Sequence, residues 1–508
     1  MSRSRRSILT FGGGVVYTGV TVTIGFLTVP YLLHWLGTES FGACRALTDW
    51  YSQFKLLELG VGASLLPMLA KATGREDAQE VHQVLGAGIR AYLGTTCGFL
   101  IAGLILFAVI GRLVPVGEGC IVDLRTASLV GLLSFFITPL VPFRLLADAR
   151  QDGFSVNVFL LLQSVATTTA ALVLAWAGWG ITGQIIAFVV GTFLFHGLIA
   201  VRVFTSFPLV TGSLFQTRIR KETWREIWGL SPPTFFRQVC TRVSVMSDTL
   251  LVAFLLKPAL VVPMVITQRL ATLAQGQLQG VMSASWAGLA ELHALGRHDL
   301  FQRRLMELTS LVTVLSVAVM VPIGAFNQNF VERWVGRDHF AGNVFTLVAA
   351  INAILLSLFT LWDCCFVGTR QVARLVPLGL VSTVVNLAIS VVLTNTLGLI
   401  GPLLGTLAAS LCINAWYLPY LLKKHFGVSP GALVRAIATP LIVGLPYGAL
   451  IVVFASAYPP QNWIQLAVDM GGSALVYLAL AWVTIFNSIE RAEWVFRIRI
   501  LFRPRAVG

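Results

Sequence analysis

Four ionisable residues interrupt residues 42–62, GACRALTDWYSQFKLLELGVG, a stretch that is otherwise apolar enough to cross a membrane. They are Arg45, Asp49, Lys55 and Glu58. The first two are four residues apart and the last two are three apart, spacings that place side chains together on a helix surface. Because an ionisable group in hydrocarbon is costly unless it is paired or hydrated, such residues normally face a bundle interior or a watery cavity. The spacing therefore predicts two partial ion pairs that face a cavity.

Further charges follow in later apolar windows. Arg237 and Asp248 share one face of the seventh window, Arg242 lies between them, and Arg269 lies in the eighth window. With Arg90 included, six basic residues lie more than three residues from a window end, and the two most charged windows, 41–69 and 229–255, add three acids. An excess of Arg and Lys in a low-dielectric cleft favours an anionic ligand, and the arginine fork matches the oxygens of a phosphate group. The pattern predicts a cavity that binds a phosphorylated solute.

The predicted site residues form two groups. The substrate-binding bases are Arg45, Lys55, Arg237, Arg242 and Arg269. The acids of the cavity, which pair with these bases, are Asp49, Glu58 and Asp248. One alternative is that these groups form buried structural ion pairs. For Arg45 and Arg90, which lie near span ends, another alternative is that the side chain extends to the lipid headgroups.

Catalytic motifs are absent from the sequence. There is no HExxH, no GxSxG, no paired-carboxylate arrangement and no GxxxxGK[ST] phosphate loop, and the seven cysteines form no CxxC pair. Metal sites and nucleotide hydrolysis normally need such patterns. We therefore expect a protein that is not an enzyme and that carries no metal and no cofactor.

The composition places these charges in a membrane protein. The chain has 508 residues, of which 56% are hydrophobic and only 11% are charged, and its mean hydropathy is +0.82. A net charge of +14 could suggest a nucleic-acid partner, but most basic residues lie between apolar windows, so we expect none. Windows of about 20 apolar residues are long enough to cross a bilayer. Fourteen such windows are predicted, at 8–33, 41–69, 84–110, 126–146, 156–177, 181–204, 229–255, 259–287, 305–327, 342–365, 375–396, 399–422, 436–457 and 462–486.

The basic residues also predict the orientation. The N-terminus MSRSRR precedes an apolar run that is too long for a signal peptide, so this run is expected to be an uncleaved first span. Loops on the side of the N-terminus hold most of the 36 Lys and Arg residues. The positive-inside rule then predicts a multi-pass protein of the inner, cytoplasmic membrane with both termini in the cytoplasm. The basic linker 205–228 and the basic tail 487–508 are expected to lie against anionic lipid headgroups.

The spacing of the windows repeats. Window 41–69 superimposes on 259–287 and window 181–204 on 399–422, which predicts a duplicated lobe of six helices. The predicted fold is all-α with fourteen transmembrane helices: a lobe at 1–204, a second lobe at 229–424 related by a pseudo-two-fold axis along the membrane normal, and an additional helix pair at 436–486. The charges are not duplicated. Such lobes are typical of transporters that alternate access to one asymmetric solute.

Two segments resemble a known family. TVPYLLHWLGTESFGACRALTDW, followed by LLELGVGASL, resembles the N-terminal pattern of the oligosaccharide flippases in the polysaccharide transporter family, within the multidrug/oligosaccharidyl-lipid/polysaccharide exporter superfamily. SDTLLVAFLLKPALVVPMVITQRL resembles the stretch that opens the second lobe of that family, with Asp248 at its acidic position. The Lys257-Pro258 pair departs from the glycine expected in the turn between the seventh and eighth spans.

The resemblance implies a function. It implies a flippase that moves a polyprenyl-diphosphate-linked oligosaccharide to the outer leaflet for surface polysaccharide biosynthesis. Cavity arginines bind the diphosphate in related flippases, a role that would fall on Arg45, Arg237, Arg242 and Arg269. The implied partners are membrane lipids, a coupling ion such as a proton or sodium, and polysaccharide polymerases or glycosyltransferases.

Three alternatives stay open. A peptidoglycan lipid-precursor flippase would share the layout and the cationic cavity. A multidrug or cation antiporter of the same superfamily is disfavoured by the positive surplus. A membrane glycosyltransferase or polymerase would be expected to have a large outer loop or an acidic metal-binding pair, whereas the outer loop 111–125 contains Glu118 and Asp123 but no DxD.

Overall fold

The structure, a computed structural model, describes residues 3–58, 60–75, 77–206, 219–229, 232–369, 371–486 and 491. Every regular element in these ranges is helical, and no strand occurs in them. Ten segments of the described chain are long and apolar enough to span a membrane. Two of these, Gly12–Gln53 and Val372–Phe426, each reach into two of the predicted windows. The prediction of an all-α polytopic membrane protein is confirmed.

The chain divides into two compact units, Met1–Val262 with Thr394–Pro402, and Pro263–Leu393 with Leu403–Gly508. The helices of the first part of the chain are α1 (Arg3–Gln53), α2 (Val61–Gly74), α3 (Ala78–Leu113), α4 (Glu118–Gly131), α5 (Val141–Ala149), α6 (Gly153–Trp176), α7 (Gly180–Ser206), α8 (Lys221–Gly229), α9 (Pro232–Leu255) and α10 (Pro258–Ala294). The later helices are α11 (His298–Trp334), α12 (Asn343–Gly368), α13 (Val376–Leu397), α14 (Gly401–Ala409), α15 (Ala415–Phe426), α16 (Pro430–Ala457) and α17 (Trp463–Thr484).

In the first unit, α6 packs against both α1 and α7, α4 packs against α3 and α7, and α2 packs against α3 and α5. Helix α9, which the predicted lobe 229–424 includes, packs against α1 in this unit. The contact between α1 and the turn after α9 depends on Gly42, because a Cβ there would collide with the carbonyl of Pro258. Absence of a side chain thus lets the α1 backbone reach the start of α10.

A side-chain cap fixes the N-terminus of α7. Asp123 of α4 accepts hydrogen bonds from the backbone N–H groups of Ile181, at 2.6 Å, and Thr182, at 3.0 Å. The Thr182 hydroxyl also donates to this carboxylate. The positive end of a helix favours such an acid. Gly180 has φ +53° and leaves no room for a Cβ beside Asp123, which explains the glycine at this turn.

In the second unit, α11 packs against α12, α16 and α17. The predicted helix pair 436–486 is present as α16 and α17. Its helices are joined by two hydrogen bonds, from the Tyr447 hydroxyl to the Ser473 carbonyl at 2.6 Å and from the Tyr477 hydroxyl to the Pro440 carbonyl at 2.7 Å. Both tyrosines are buried. The pair therefore packs as one layer rather than as two independent spans.

Candidate functional site in the first unit

The second predicted span, 41–69, is not one continuous helix, which corrects the sequence prediction. Helix α1 ends at Gln53, a 3-10 turn covers Phe54–Glu58, and α2 begins at Val61. Gly60 precedes α2 with φ 79° and ψ 10°, a left-handed conformation that glycine adopts without steric cost. Helix α10, which fills the matching window of the repeat, is continuous from Pro258 to Ala294. The break is thus a local difference between the two repeats.

Glu58 connects the two sides of this break. Its Oε1 accepts a hydrogen bond from the backbone N–H of Gly62 at 3.0 Å, and the Tyr92 hydroxyl of α3 donates to the same oxygen. A Cβ at Gly62 would lie 2.5 Å from Glu58 Oε1 and 2.8 Å from the Tyr92 hydroxyl oxygen, so the contact requires glycine. The acid therefore caps α2 and ties the break to α3. The Glu58 carboxylate therefore bonds to Gly62 and Tyr92, whereas the sequence predicted Lys55 as its partner.

Aromatic packing fixes the end of α1 just before the break. The Tyr51 hydroxyl donates to the Ser128 carbonyl of α4, and the Tyr51 ring contacts Phe135 with centroids 5.6 Å apart. Phe54 of the 3-10 turn contacts the same Phe135 ring at 5.7 Å, and Phe99 of α3 contacts it at 5.4 Å. The chain therefore enters the break from a fixed position.

Arg45 and Asp49 form the predicted ion pair, with Arg45 Nε 3.8 Å from Asp49 Oδ2. The two side chains differ in exposure: that of Arg45 is 48% exposed and that of Asp49 only 9%. The Asp49 carboxylate also lies close to the Thr249 side chain of α9, the helix that packs against α1. A buried acid thus pairs with an arginine whose side chain is still half exposed. An accessible guanidinium retains donors for an anionic ligand.

Asp248 precedes Thr249 on α9. Its Oδ1 is buried and accepts no hydrogen bond from the described residues. A buried carboxylate oxygen without a hydrogen-bond partner is energetically costly. A bound proton, a water molecule or a ligand at Asp248 would remove this cost. Asp248 and Asp49 therefore place two acids on packed helices of the first unit, both near Thr249.

The remaining predicted site residues are distributed as follows. Arg237 lies on α9 of the first unit and is half-buried. Arg269 lies on α10 in the second unit and is also half-buried. The backbone of Lys55 belongs to the 3-10 turn and that of Arg242 to α9, but both side chains lie outside the described residues. The structure thus brings Arg45, Asp49 and the α9 residue Thr249 together, and it places Glu58 on Tyr92.

Two residues of the candidate site were not predicted from the sequence. Tyr92 lies in an apolar stretch of α3 and is 1% exposed, and its hydroxyl finds its partner 34 residues away. Thr249 follows the predicted Asp248 and is 8% exposed. The two glycines of LELGVG were the one signal for the break, because the first adopts a left-handed conformation and the second admits the carboxylate.

Comparison with solved structures shows the fold. The lipid II flippase MurJ in an inward closed conformation is 13% identical, with a TM-score of 0.72 over 92% of this chain and 98% of that chain. An inward-facing MATE family multidrug resistance transporter of the MOP superfamily is 14% identical, with a TM-score of 0.63 over 88% of this chain and 99% of that chain. A MATE structure in the bent conformation is 15% identical, with a TM-score of 0.55 over 83% of this chain and 97% of that chain.

No protein-family model matches the chain, and no curated protein matches it in sequence. The likeness therefore lies in the arrangement of helices along almost the whole length of the compared transporters. The chain therefore shares the fold of these solved MurJ and MATE transporters.

Proposed function

We propose that this chain is a flippase that moves a polyprenyl-diphosphate-linked oligosaccharide across the cytoplasmic membrane by alternating access, for surface polysaccharide biosynthesis. The observation that carries the proposal is the Arg45 and Asp49 pair. The Asp49 side chain is buried, whereas the Arg45 side chain is half exposed. Such an arginine is oriented while its donors stay accessible, and it can offer its fork to a diphosphate.

The other predicted bases complete this role. Further positive charge for the diphosphate would come from Arg237, Arg242, Arg269 and Lys55. The acids Asp49 and Asp248 lie on α1 and α9, the helices of Arg45 and Arg237, and Glu58 fixes the break next to Lys55. The surplus of positive charge suits an anionic headgroup and disfavours a lipophilic cation as the transported solute. Movement of the two predicted lobes, 1–204 and 229–424, would expose the bound headgroup to each side in turn. The driving force would be a proton or sodium gradient, the membrane potential or consumption of the product.

A peptidoglycan lipid-precursor flippase is the second candidate. The similarity to the lipid II flippase MurJ favours it, since that TM-score, 0.72, exceeds the 0.63 and 0.55 of the two MATE structures. The two candidates share a polyprenyl diphosphate and differ in the group attached to it. The predicted diphosphate contacts are therefore the same for both.

Reconstitution tests these assignments. Purified full-length protein in liposomes should expose a lipid-linked oligosaccharide from the inner leaflet to an externally added glycosidase without a change in the mass of the lipid before the glycosidase is added. Arg45→Ala should slow this exposure at least about tenfold, and Arg297→Ala, at an exposed position outside the predicted site, should not. Exposure of lipid II alone would favour the second candidate. Efflux of a cationic dye with neither lipid moved, or a change in lipid mass, would refute both.

A further inference from the structure

A cationic and aromatic patch lies at the C-terminal end of α15. We define the α15 patch as Arg374, Tyr420, Lys423, Lys424 and His425, all in the second unit. Arg374 comes from the separate 3-10 turn Val372–Leu375, and the other four come from the last two turns of α15. Arg374, Lys423 and Lys424 are exposed, and His425 is half-buried. The patch thus gathers basic groups from two elements onto one accessible surface.

These basic groups contact polar and aromatic neighbours rather than acids. Arg374 Nη1 donates to Gln371 Oε1 and also lies against His425 Nδ1. Lys424 Nζ lies 5.9 Å from the centroid of the Tyr420 ring, a cation–π distance. In the described part of the chain, neither lysine nor Arg374 forms an ion pair with a carboxylate. Neighbouring positive charges repel one another, and a bound anion would reduce this repulsion.

A second charged surface provides a contrast. In the first unit, a cleft of about 790 Å³ between the end of α2, the start of α3 and α8 contains Lys71, Arg75 and Arg220. Its walls also contain four acids, which are Asp77, Glu80, Glu222 and Glu226. Arg75 pairs with Glu80 at 3.8 Å. The four acids thus more than balance the three bases of that cleft, whereas no acid pairs with Arg374, Lys423 or Lys424 among the described residues.

Exposed aromatic rings lead from the apolar part of α15 to the patch. Trp416 is 76% exposed, Tyr417 39% and Tyr420 50%, and the rings of Tyr417 and Tyr420 lie 5.7 Å apart. Trp and Tyr are enriched where a membrane helix passes the headgroup region, with basic residues just beyond. Basic residues in the last turn also interact with the helix dipole. That interaction does not explain Arg374, which belongs to another element.

We propose that the α15 patch binds the phosphate headgroup of an anionic phospholipid from the surrounding bilayer. Lys423, Lys424 and Arg374 surround the phosphate, and the Tyr420 and Trp416 rings contact the glycerol and the upper acyl chains. A bilayer lipid fits better than a soluble phosphate, because exposed rings lead directly into the patch. The inference does not depend on the proposed transport activity.

Native mass spectrometry of the full-length protein tests the proposal. Phosphatidylglycerol should be retained at protein-to-lipid ratios at which phosphatidylcholine is not. Lys423→Ala combined with Lys424→Ala should weaken retention roughly 30-fold, since each basic residue near a lipid surface contributes about 1 kcal/mol. Lys71→Ala combined with Arg75→Ala, which removes the same charge from the balanced cleft, should change retention less than about threefold.

Two further measurements keep the result interpretable if a variant folds poorly. Retention of phosphatidylglycerol by the unmodified protein should fall at high ionic strength, because exposed charges are screened. Inorganic phosphate at millimolar concentration should not compete. Equal retention of both lipids, equal losses in the two double variants, or displacement by free phosphate would each overturn the proposal. Preferential displacement by a polyprenyl diphosphate would also overturn it, because the patch would then be part of the substrate path.

Discussion

The Glu58 carboxylate accepts a hydrogen bond from the backbone N–H of Gly62 at 3.0 Å, so the residue that ends one helical segment caps the start of the next. The Tyr92 hydroxyl donates to the same oxygen from α3. A single oxygen therefore joins the 3-10 turn, α2 and α3. Because the first backbone N–H groups of a helix lack internal partners, this contact stabilises a break that hydrophobicity alone would not produce.

Two substitutions of Glu58 distinguish the effect of its hydrogen bonds on stability from the effect of its negative charge. Glu58→Ala removes the acceptor for both donors and should lower the free energy of unfolding by about 1–3 kcal/mol. Glu58→Gln keeps a carbonyl oxygen at the same position and should lose less than half of that amount. Thermal unfolding of the purified protein in detergent measures both, with Glu291→Ala, an exposed acid on α10, as the control. Equal losses in the Ala and Gln variants would mean that the charge, not the hydrogen bonds, holds the break.

A side chain at Gly62 should lower the stability of the protein. A Cβ would lie 2.5 Å from Glu58 Oε1 and 2.8 Å from the Tyr92 hydroxyl oxygen, so Gly62→Ala must displace the carboxylate. We expect a loss of about 1–3 kcal/mol, as for other overpacked sites. Gly94→Ala is the matched control, because Gly94 lies in α3 and a Cβ added there would meet no neighbouring group within 4 Å. It should be neutral or slightly stabilising. A Gly62→Ala protein as stable as Gly94→Ala would contradict the tight contact.

Local interactions could be predicted from the sequence, and distant ones could not. Arg45 and Asp49 pair as their spacing predicts, because four residues bring two side chains together on any helix. The all-helical membrane fold was predictable as well, since backbone hydrogen bonds must be satisfied inside lipid. Glu58 was assigned to Lys55 by the same local rule. Its observed partners include Tyr92, which no spacing rule connects to it, because their contact depends on how α3 packs against the break.

The hydropathy pattern also does not indicate the break between α1 and α2. Window 41–69 is apolar enough to be interpreted as one span, but Gly60 and Gly62 allow conformations that a hydropathy average does not register. Asp123 is a second example of a role set by packing. The sequence places it in the outer loop 111–125 with Glu118, whereas in the structure it caps α7 through the N–H of Ile181, 58 residues further along the chain.

Removal of the Asp123 cap should loosen the start of α7. Asp123→Ala leaves the N–H groups of Ile181 and Thr182 without this acceptor and should cost about 1–2 kcal/mol. Asp123→Asn keeps one acceptor oxygen and should cost less. Hydrogen exchange at these two amides should accelerate in the Ala variant. Unchanged exchange would contradict the cap.

Arg45 and Asp49 should act as a unit. Arg45→Ala should reduce flipping at least about tenfold, since a charge-assisted contact to phosphate contributes about 1.5–3 kcal/mol. Arg45→Lys should retain part of the activity as a point charge without the fork. Asp49→Asn should have an intermediate effect, because Asp49 acts by positioning Arg45. The double variant Arg45→Ala with Asp49→Asn should be no worse than Arg45→Ala alone. Additive losses in the liposome assay would show that the two residues act independently.

Arg242 and Arg269 test the proposed diphosphate contacts away from this pair. Arg242→Ala and Arg269→Ala should each abolish export of surface polysaccharide while the protein remains in the membrane fraction, because an anionic headgroup loses a required partner. The corresponding Lys variants should recover part of the export. Quantification of surface polysaccharide and of membrane-inserted protein measures both effects, with Arg297→Ala as the control. Normal polysaccharide in both Ala variants would remove these two residues from the site, since neither could then be needed to hold the diphosphate during transport.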